Sequence, residues 1–146
     1  MTAPVFVDTN VFIYSLDKAH PGKHQAAQIW KAELWKSRRG RISFQVLQEF
    51  YARAAHKWPA LREEVRAELR DLLAWRPVAA NAETVEVAWN IQDRYKVSFW
   101  DALIVSAAKA ASCRYLLTED LQADQDMDGV IVVNPFRRDP GEISSA

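Results

Sequence analysis

Asp8 ends a short apolar run, Pro4-Val5-Phe6-Val7, and is followed by Thr9-Asn10. A strand that leaves a core and ends in a carboxylate sets a charge at the rim of a sheet. In open α/β sheets the rim at the carboxyl ends of the strands is where ligands bind. Alone, such an Asp is as well explained as a turn residue or a helix cap. Three distant acids add to it. Glu49 lies two turns into a helix that Ser43 can cap, and Asp101 lies three residues after Ser98. Asp120 follows the apolar run that ends at Thr118. No local motif dictates these spacings, so only a fold can unite the four.

The chemistry such a cluster can do is that of a hard divalent cation. Mg²⁺ and Mn²⁺ prefer oxygen ligands, whereas zinc sites are built largely from His and Cys. A pair of such ions can clamp the attacking and leaving oxygens of a phosphodiester. From the residues alone, Asp8, Asp101 and either Glu49 or Asp120 are the expected metal ligands, with Asn10 and Thr118 orienting ligands and water around them. With no metal, the carboxylates repel and at least one pKa should rise. Each acid also has a plainer role. Glu49 can be a solvated helix residue, Ser98-x-x-Asp101 resembles a capping box, and Asp120 can cap a turn at Leu121. Asp124, Asp126 and Asp128 alternate as in an EF-hand loop, but position 12 is Pro135 rather than Glu, so they read as a solvated turn.

The elements that must position these residues follow from periodicity. Residues 5–7 and 130–133 are unbroken β-branched and apolar runs, and 115–118 is a further strand. Short strands are also expected near 41–43 and 77–79. Helices are expected over 10–16, 23–36, 43–57, 61–75, 81–94 and 99–111, the last apolar enough to be central. His20-Pro21-Gly22 and Ser37-Arg38-Arg39-Gly40 punctuate the chain. Strands alternating with helices predict an α/β fold with a parallel sheet covered on both faces and right-handed crossovers. Residues 1–136 read as one domain, and 137–146 as a polar, flexible tail.

Composition narrows the class. Nineteen basic and nineteen acidic residues cancel, so any contact with nucleic acid must rest on local clusters rather than bulk charge. One cluster is Arg38, Arg39 and Arg41, and another is Arg53, Lys57 and Arg62. The single Cys113 permits no internal disulfide and suits a reducing cytoplasm. No secretory segment and no apolar run of spanning length is present, so a cytoplasmic protein without membrane contact is expected. His20 and His24 can border a groove, and faces carrying Trp30, Trp35 and Phe50 can meet a partner helix or a dimer seam, with the core as the default place for Trp30.

Four segments together resemble the PIN-domain family, specifically the VapC-type toxins of toxin–antitoxin pairs. They are Phe6-Val7-Asp8-Thr9-Asn10-Val11, Gln48-Glu49-Phe50, Ser98-Phe99-Trp100-Asp101-Ala102-Leu103-Ile104 and Leu116-Leu117-Thr118-Glu119-Asp120-Leu121. The resemblance extends to about Pro135. It implies a three-layer α/β/α sandwich with a short, mostly parallel central sheet, and a Mg²⁺- or Mn²⁺-dependent endoribonuclease site. Asp8, Glu49, Asp101 and Asp120 match the family's acidic quartet, and Asn10 and Thr118 match the polar residues that support it. A cognate antitoxin and a homodimer are implied as well, with RNA as substrate.

Two other functions remain open. One is a catalytically silent PIN-like module that binds or regulates a partner. The other is a phosphohydrolase with Asp8 as covalent nucleophile, although Asn10 stands where such sites commonly carry a second Asp. A nucleotide-binding role is poorly supported, since four glycines form no phosphate loop.

Overall fold

A computed structural model describes residues 3–143. Its centre is a five-stranded sheet in the order β2-β1-β3-β5-β4. Strand β1 (Val5–Val7) runs parallel to β2 (Gly40–Arg41) and to β3 (Tyr115–Leu117), and β3 runs parallel to β5 (Val130–Val133). The antiparallel β4 (Asp126–Met127) closes the edge. All residues of β1 and β3 are buried, as strands covered on both faces must be. The helices are α1 (Thr9–Tyr14), α2 (Pro21–Ser37), α3 (Phe44–Lys57), α4 (Arg62–Leu72), α5 (Ala82–Tyr95) and α6 (Phe99–Ala110). This is the expected three-layer α/β/α sandwich with a mostly parallel sheet.

The register of β1 on β3 decides where the acids emerge. Val5 pairs with Tyr115, Phe6 with Leu116 and Val7 with Leu117. Both strands therefore end level. The next amide, Asp8 N–H, still donates to Leu117 O at 3.0 Å, and Thr118 N–H donates to Val133 O at 3.0 Å. Asp8 and Thr118 leave the sheet side by side.

The helix caps agree with the sequence. Ser43 Oγ accepts from Val46 N–H, Ser98 Oγ from Asp101 N–H, and Asn81 forms a reciprocal capping box with Thr84. Trp58-Pro59 ends α3 as expected. Other expectations shift. Pro21 does not break the chain but opens α2, where its missing N–H costs nothing. The stop of α2 is Arg38 in the left-handed conformation, not Gly40. Gly40 is instead needed for space, since a Cβ there would lie 2.6 Å from the Trp75 ring. The expected strand at 77–79 reduces to one bridge, Ser43 to Val78. The expected helix over 61–75 ends at Leu72 and tightens into a 3-10 turn, Leu73–Trp75.

The acidic run is a hairpin rather than a loose turn. Asp128 and Gly129 both have positive φ and join β4 to β5, as an Asp-Gly two-residue turn does. Asp126 accepts from Gly129 N–H, Asp128 pairs with Lys109, and Asp124 pairs with Arg138. Trp30 belongs to the core, as its default reading has it, and Phe50 is buried there too rather than facing a partner. Trp30 Nε1 donates to the carbonyls of Pro135 and Arg138, which ties residue 138 of the expected tail to α2. A 3-10 turn follows at Pro140–Glu142; residues 144–146 lie outside the described residues. Among the described residues no helix is long and apolar enough to cross a membrane.

Gly40→Ala should lower stability by about 1–3 kcal/mol, because the new methyl meets a ring packed beneath the sheet. A urea melt reads it as a fall in midpoint at constant slope; an unchanged midpoint would mean the Trp75 ring yields freely.

Candidate active site

The level ends of β1 and β3 build the centre of the site. Asp8 is the N-cap of α1 and only 6% exposed. Its Oδ1 accepts from Thr9 N–H at 2.7 Å, and its Oδ2 accepts from Thr118 Oγ1 at 2.9 Å. Thr118 is fully buried. Its hydroxyl accepts in turn from Asn10 Nδ2 at 2.9 Å and from Asp120 N–H at 3.1 Å. Asn10 Nδ2 also donates to Asp120 Oδ2 at 3.1 Å. One hydroxyl and one amide thus tie Asp8 to Asp120 across two strand ends. Asn10 and Thr118, expected beside the acids, hydrogen-bond to Asp8 and Asp120.

Glu49 arrives from α3. Its Oε2 accepts from Thr9 Oγ1 at 3.2 Å and its Oε1 from Gln45 Nε2 at 2.8 Å. Neither contact was anticipated. Gln45 was findable, since it sits one helical turn before Glu49 on the same face. The Thr9 contact joins α1 to α3 and has no local signal. Asp101 lies in the first turn of α6, and Asp101 and Ser98 make the expected cap.

Asp8 and Asp101 both sense the charges of Asp120 and Glu49. Burial pushes the Asp8 carboxyl up to about 7, and the nearby Asp120 and Glu49 charges add to the rise while Thr9 N–H and the Thr118 hydroxyl oppose it. Asp101 is likewise raised, first by burial and then by Asp120 and Glu49, against the Ser98 hydrogen bond. This is the repulsion expected of the cluster. Among the described residues no Lys or Arg forms an ion pair with any of the four.

The donors suit a hard cation in kind. They are carboxylates and one amide, with no sulfur and no imidazole. Asn10 Oδ1 is buried without a hydrogen-bond partner. Among the described residues no three Asp, Glu, His or Cys side chains come close enough together to hold an ion as they stand. Mg²⁺ usually keeps several waters and takes only one or two carboxylates.

The two basic clusters part company. Arg39 is buried and its Nε donates to Ala3 O, while Arg41 Nη1 donates to the carbonyls of Arg38 and Gly40. This cluster enters β2, so it lies at the amino end of the sheet, opposite the acids, and serves the fold. Arg53 and Lys57 instead line a cleft of about 180 Å³ together with Asn10, Asp120 and His20. Arg62 does not line it. His24 is turned to the Tyr14 carbonyl.

The PIN domain family model matches residues 5–125 of the chain. Similar folds occur in a toxin–antitoxin complex from Klebsiella pneumoniae, at 21% identity and TM-score 0.64 over 90% of this chain and 97% of that one. VapC20 of Mycobacterium tuberculosis, a toxin that cleaves the sarcin–ricin loop, aligns at 19% identity and TM-score 0.57 over 77% and 86%. VapBC2 of Rickettsia felis, solved on a DNA fragment from its promoter, aligns at 17% identity and TM-score 0.59 over 88% and 96%. At these identities the likeness is one of fold. No curated protein sequence matches the chain.

The raised Asp8 pKa has a consequence for stability. The folded protein keeps a proton on Asp8 that the unfolded chain has already released, over the window from 3.8 to about 7. Metal-free protein should therefore lose stability as pH rises through that window and level off above it, by at most ~4 kcal/mol. Asp8→Asn should flatten this slope and raise the neutral-pH melting temperature in EDTA. Parallel pH profiles for the two proteins would show that Asp8 does not carry the cost.

Proposed function

The chain belongs to the PIN-domain family, and on that premise we propose that it is a divalent-metal-dependent endoribonuclease, the toxin of a toxin–antitoxin pair. The observation that carries this reading is a buried Asp8 with the Asp120 and Glu49 charges acting on it, Asp101 sensing the same two, and no Lys or Arg ion-paired to any of them among the described residues. A carboxylate taken out of water without a counter-charge is costly to keep. A bound cation would supply the missing charge.

Asp8, Asp101, Glu49 and Asp120 are the residues that would hold the ion, Mg²⁺ or Mn²⁺. Bound there, such an ion offsets charge on phosphodiester oxygens and lowers the pKa of a water. Thr118 fixes the Asp8 carboxylate by donating to Oδ2, to which Asn10 Nδ2 adds a longer contact at 3.5 Å. Asn10 restrains Asp120 in the same way, and Thr9 and Gln45 restrain Glu49. The side chains thus bind and orient. None of the three His residues hydrogen-bonds to an acid of the quartet, so no imidazole is placed as a general base.

A partner is supported by an apolar groove between α3 and α4. Leu47, Tyr51 and Leu69 line it, and Phe44 and Leu73 stand exposed at 43% and 54%. Exposed apolar surface of this kind suits an antitoxin helix or a second copy of the chain. An RNA substrate and an antitoxin would both be met in the cytoplasm.

The test is cleavage of structured RNA by freshly purified protein. Wild type should cut in Mg²⁺ or Mn²⁺ and stop in EDTA. Asp8→Asn should lose all measurable cutting, and Thr118→Val should fall roughly 10–100-fold, as loss of a supporting hydrogen bond does at metal sites. Cutting by Asp8→Asn at the wild-type rate would refute the site. RNA left intact under every ionic condition would leave the silent regulatory module as the better description.

A further inference from the structure

Helix α3 carries more than Glu49. Gln45, Glu49, Arg53 and Lys57 are spaced by four and so form one stripe along it. The stripe begins at the acid rim with Gln45 and Glu49 and ends in two cations. Arg53 lies ~6 Å and Lys57 ~12 Å along the helix axis from Glu49. Both line the cleft that Asn10 and Asp120 border, so the cleft opens directly from the acidic rim.

The cations are differently held. Asp17 is a buried carboxylate, 3% exposed, in the turn after α1. It accepts from Lys57 Nζ at 3.1 Å, from Ala19 N–H at 3.0 Å and contacts His20 Nδ1 at 3.1 Å. Lys57 is the main reason its pKa is held below the ordinary range. One of the three ammonium donors is used in this way, and the Lys57 side chain remains 54% exposed. Of the two other acids that line the cleft, Glu119 pairs with Lys23 at 2.7 Å and Asp120 accepts from Asn10. Among the described residues Arg53 has no ion-pair or hydrogen-bond partner, although it is a bidentate donor beside a carboxylate rim. The fold thus occupies Asp17 and Glu119 with lysines and leaves the guanidinium free.

We propose that this cleft is a phosphate subsite for the RNA backbone, in which Arg53 and Lys57 take phosphates flanking the one addressed at the acidic rim. Asp17 is a positioning residue that holds Lys57 against the cleft wall. The proposal rests on the nuclease reading and adds where the strand leaves the site. It also assigns a sequence-independent role to the cleft, since phosphate contacts carry no base information.

The experiment measures binding apart from cutting. A fluorescein-labelled single-stranded RNA oligonucleotide is titrated by anisotropy with Asp8→Asn protein in EDTA, across a KCl series. Arg53→Gln or Lys57→Gln added to that background should weaken binding on the order of tenfold. Each should also flatten the plot of log affinity against log salt by ~0.7, the loss of one phosphate contact on a single strand. Arg53→Lys should keep most of the slope, and Arg62→Gln should leave affinity and slope unchanged. Unchanged slopes for Arg53→Gln and Lys57→Gln, with RNA cutting by wild type intact, would overturn the subsite alone. An equal effect of Arg62→Gln would also overturn it, in favour of diffuse surface charge. No binding by any variant and no cutting by wild type would overturn the subsite and the nuclease reading together.

Discussion

Three ladder pairs set the site. Val5, Phe6 and Val7 lie level with Tyr115, Leu116 and Leu117, so the first residues beyond each strand, Asp8 and Thr118, emerge together. A slip of one residue would send every side chain of β1 to the other face of the sheet. Burial on both faces makes that slip expensive and so fixes the register. The Thr118 hydroxyl then does what no helix can: it bonds Asp8, Asn10 and the Asp120 backbone at once. Glu49 and Asp101 come from helices capped by Ser43 and Ser98. Two serines and a strand register therefore determine which end of the sheet carries the acids.

Those charges oppose the fold that gathers them. A carboxyl pushed up to about 7 is one the native state holds at a disadvantage when ionised. The chain keeps hydrogen bonds to Asp8 but provides no Lys or Arg, although Arg53 and Lys57 stand one cleft away. A cation side chain against Asp8 would relieve the cost and also fill the place of an ion. Local disadvantage of this sort is what is expected where a ligand supplies the missing interaction. The cations are set along α3 instead, beyond Glu49, where they can face an anionic strand without quenching the acids.

The α/β alternation and the helix caps were legible in the sequence, because each leaves a local mark: an apolar run ending in Asp8, a Ser three residues before Asp101, helical spacing on α3. It did not show how side chains would be spent. Arg39 looked like a surface cation and is buried against the Ala3 carbonyl, since sequence does not say that it precedes an edge of the sheet facing away from the acids. Gly40 looked like a helix stop and is a gap for Trp75. Phe50 looked available to a partner, but the core takes it. The Asp128-Gly129 hairpin did have a local signal, which the run of alternating acids disguised. Thr9 and Asp17 owe their roles to contacts with α3, and such long-range pairings have no periodicity to read.

Whether Asp8 centres a cation site is tested most directly by Mn²⁺ binding to wild type and Asp8→Asn, measured by calorimetry in two buffers of different ionisation heat. Wild type should bind, should release a proton as it does so when the pH lies below the Asp8 value of about 7, and should bind more tightly as pH rises through it. Asp8→Asn should bind at least ~10-fold more weakly and release no proton. Equal affinity in the two proteins, with no difference in proton release, would contradict the claim that Asp8 is the centre of a cation site.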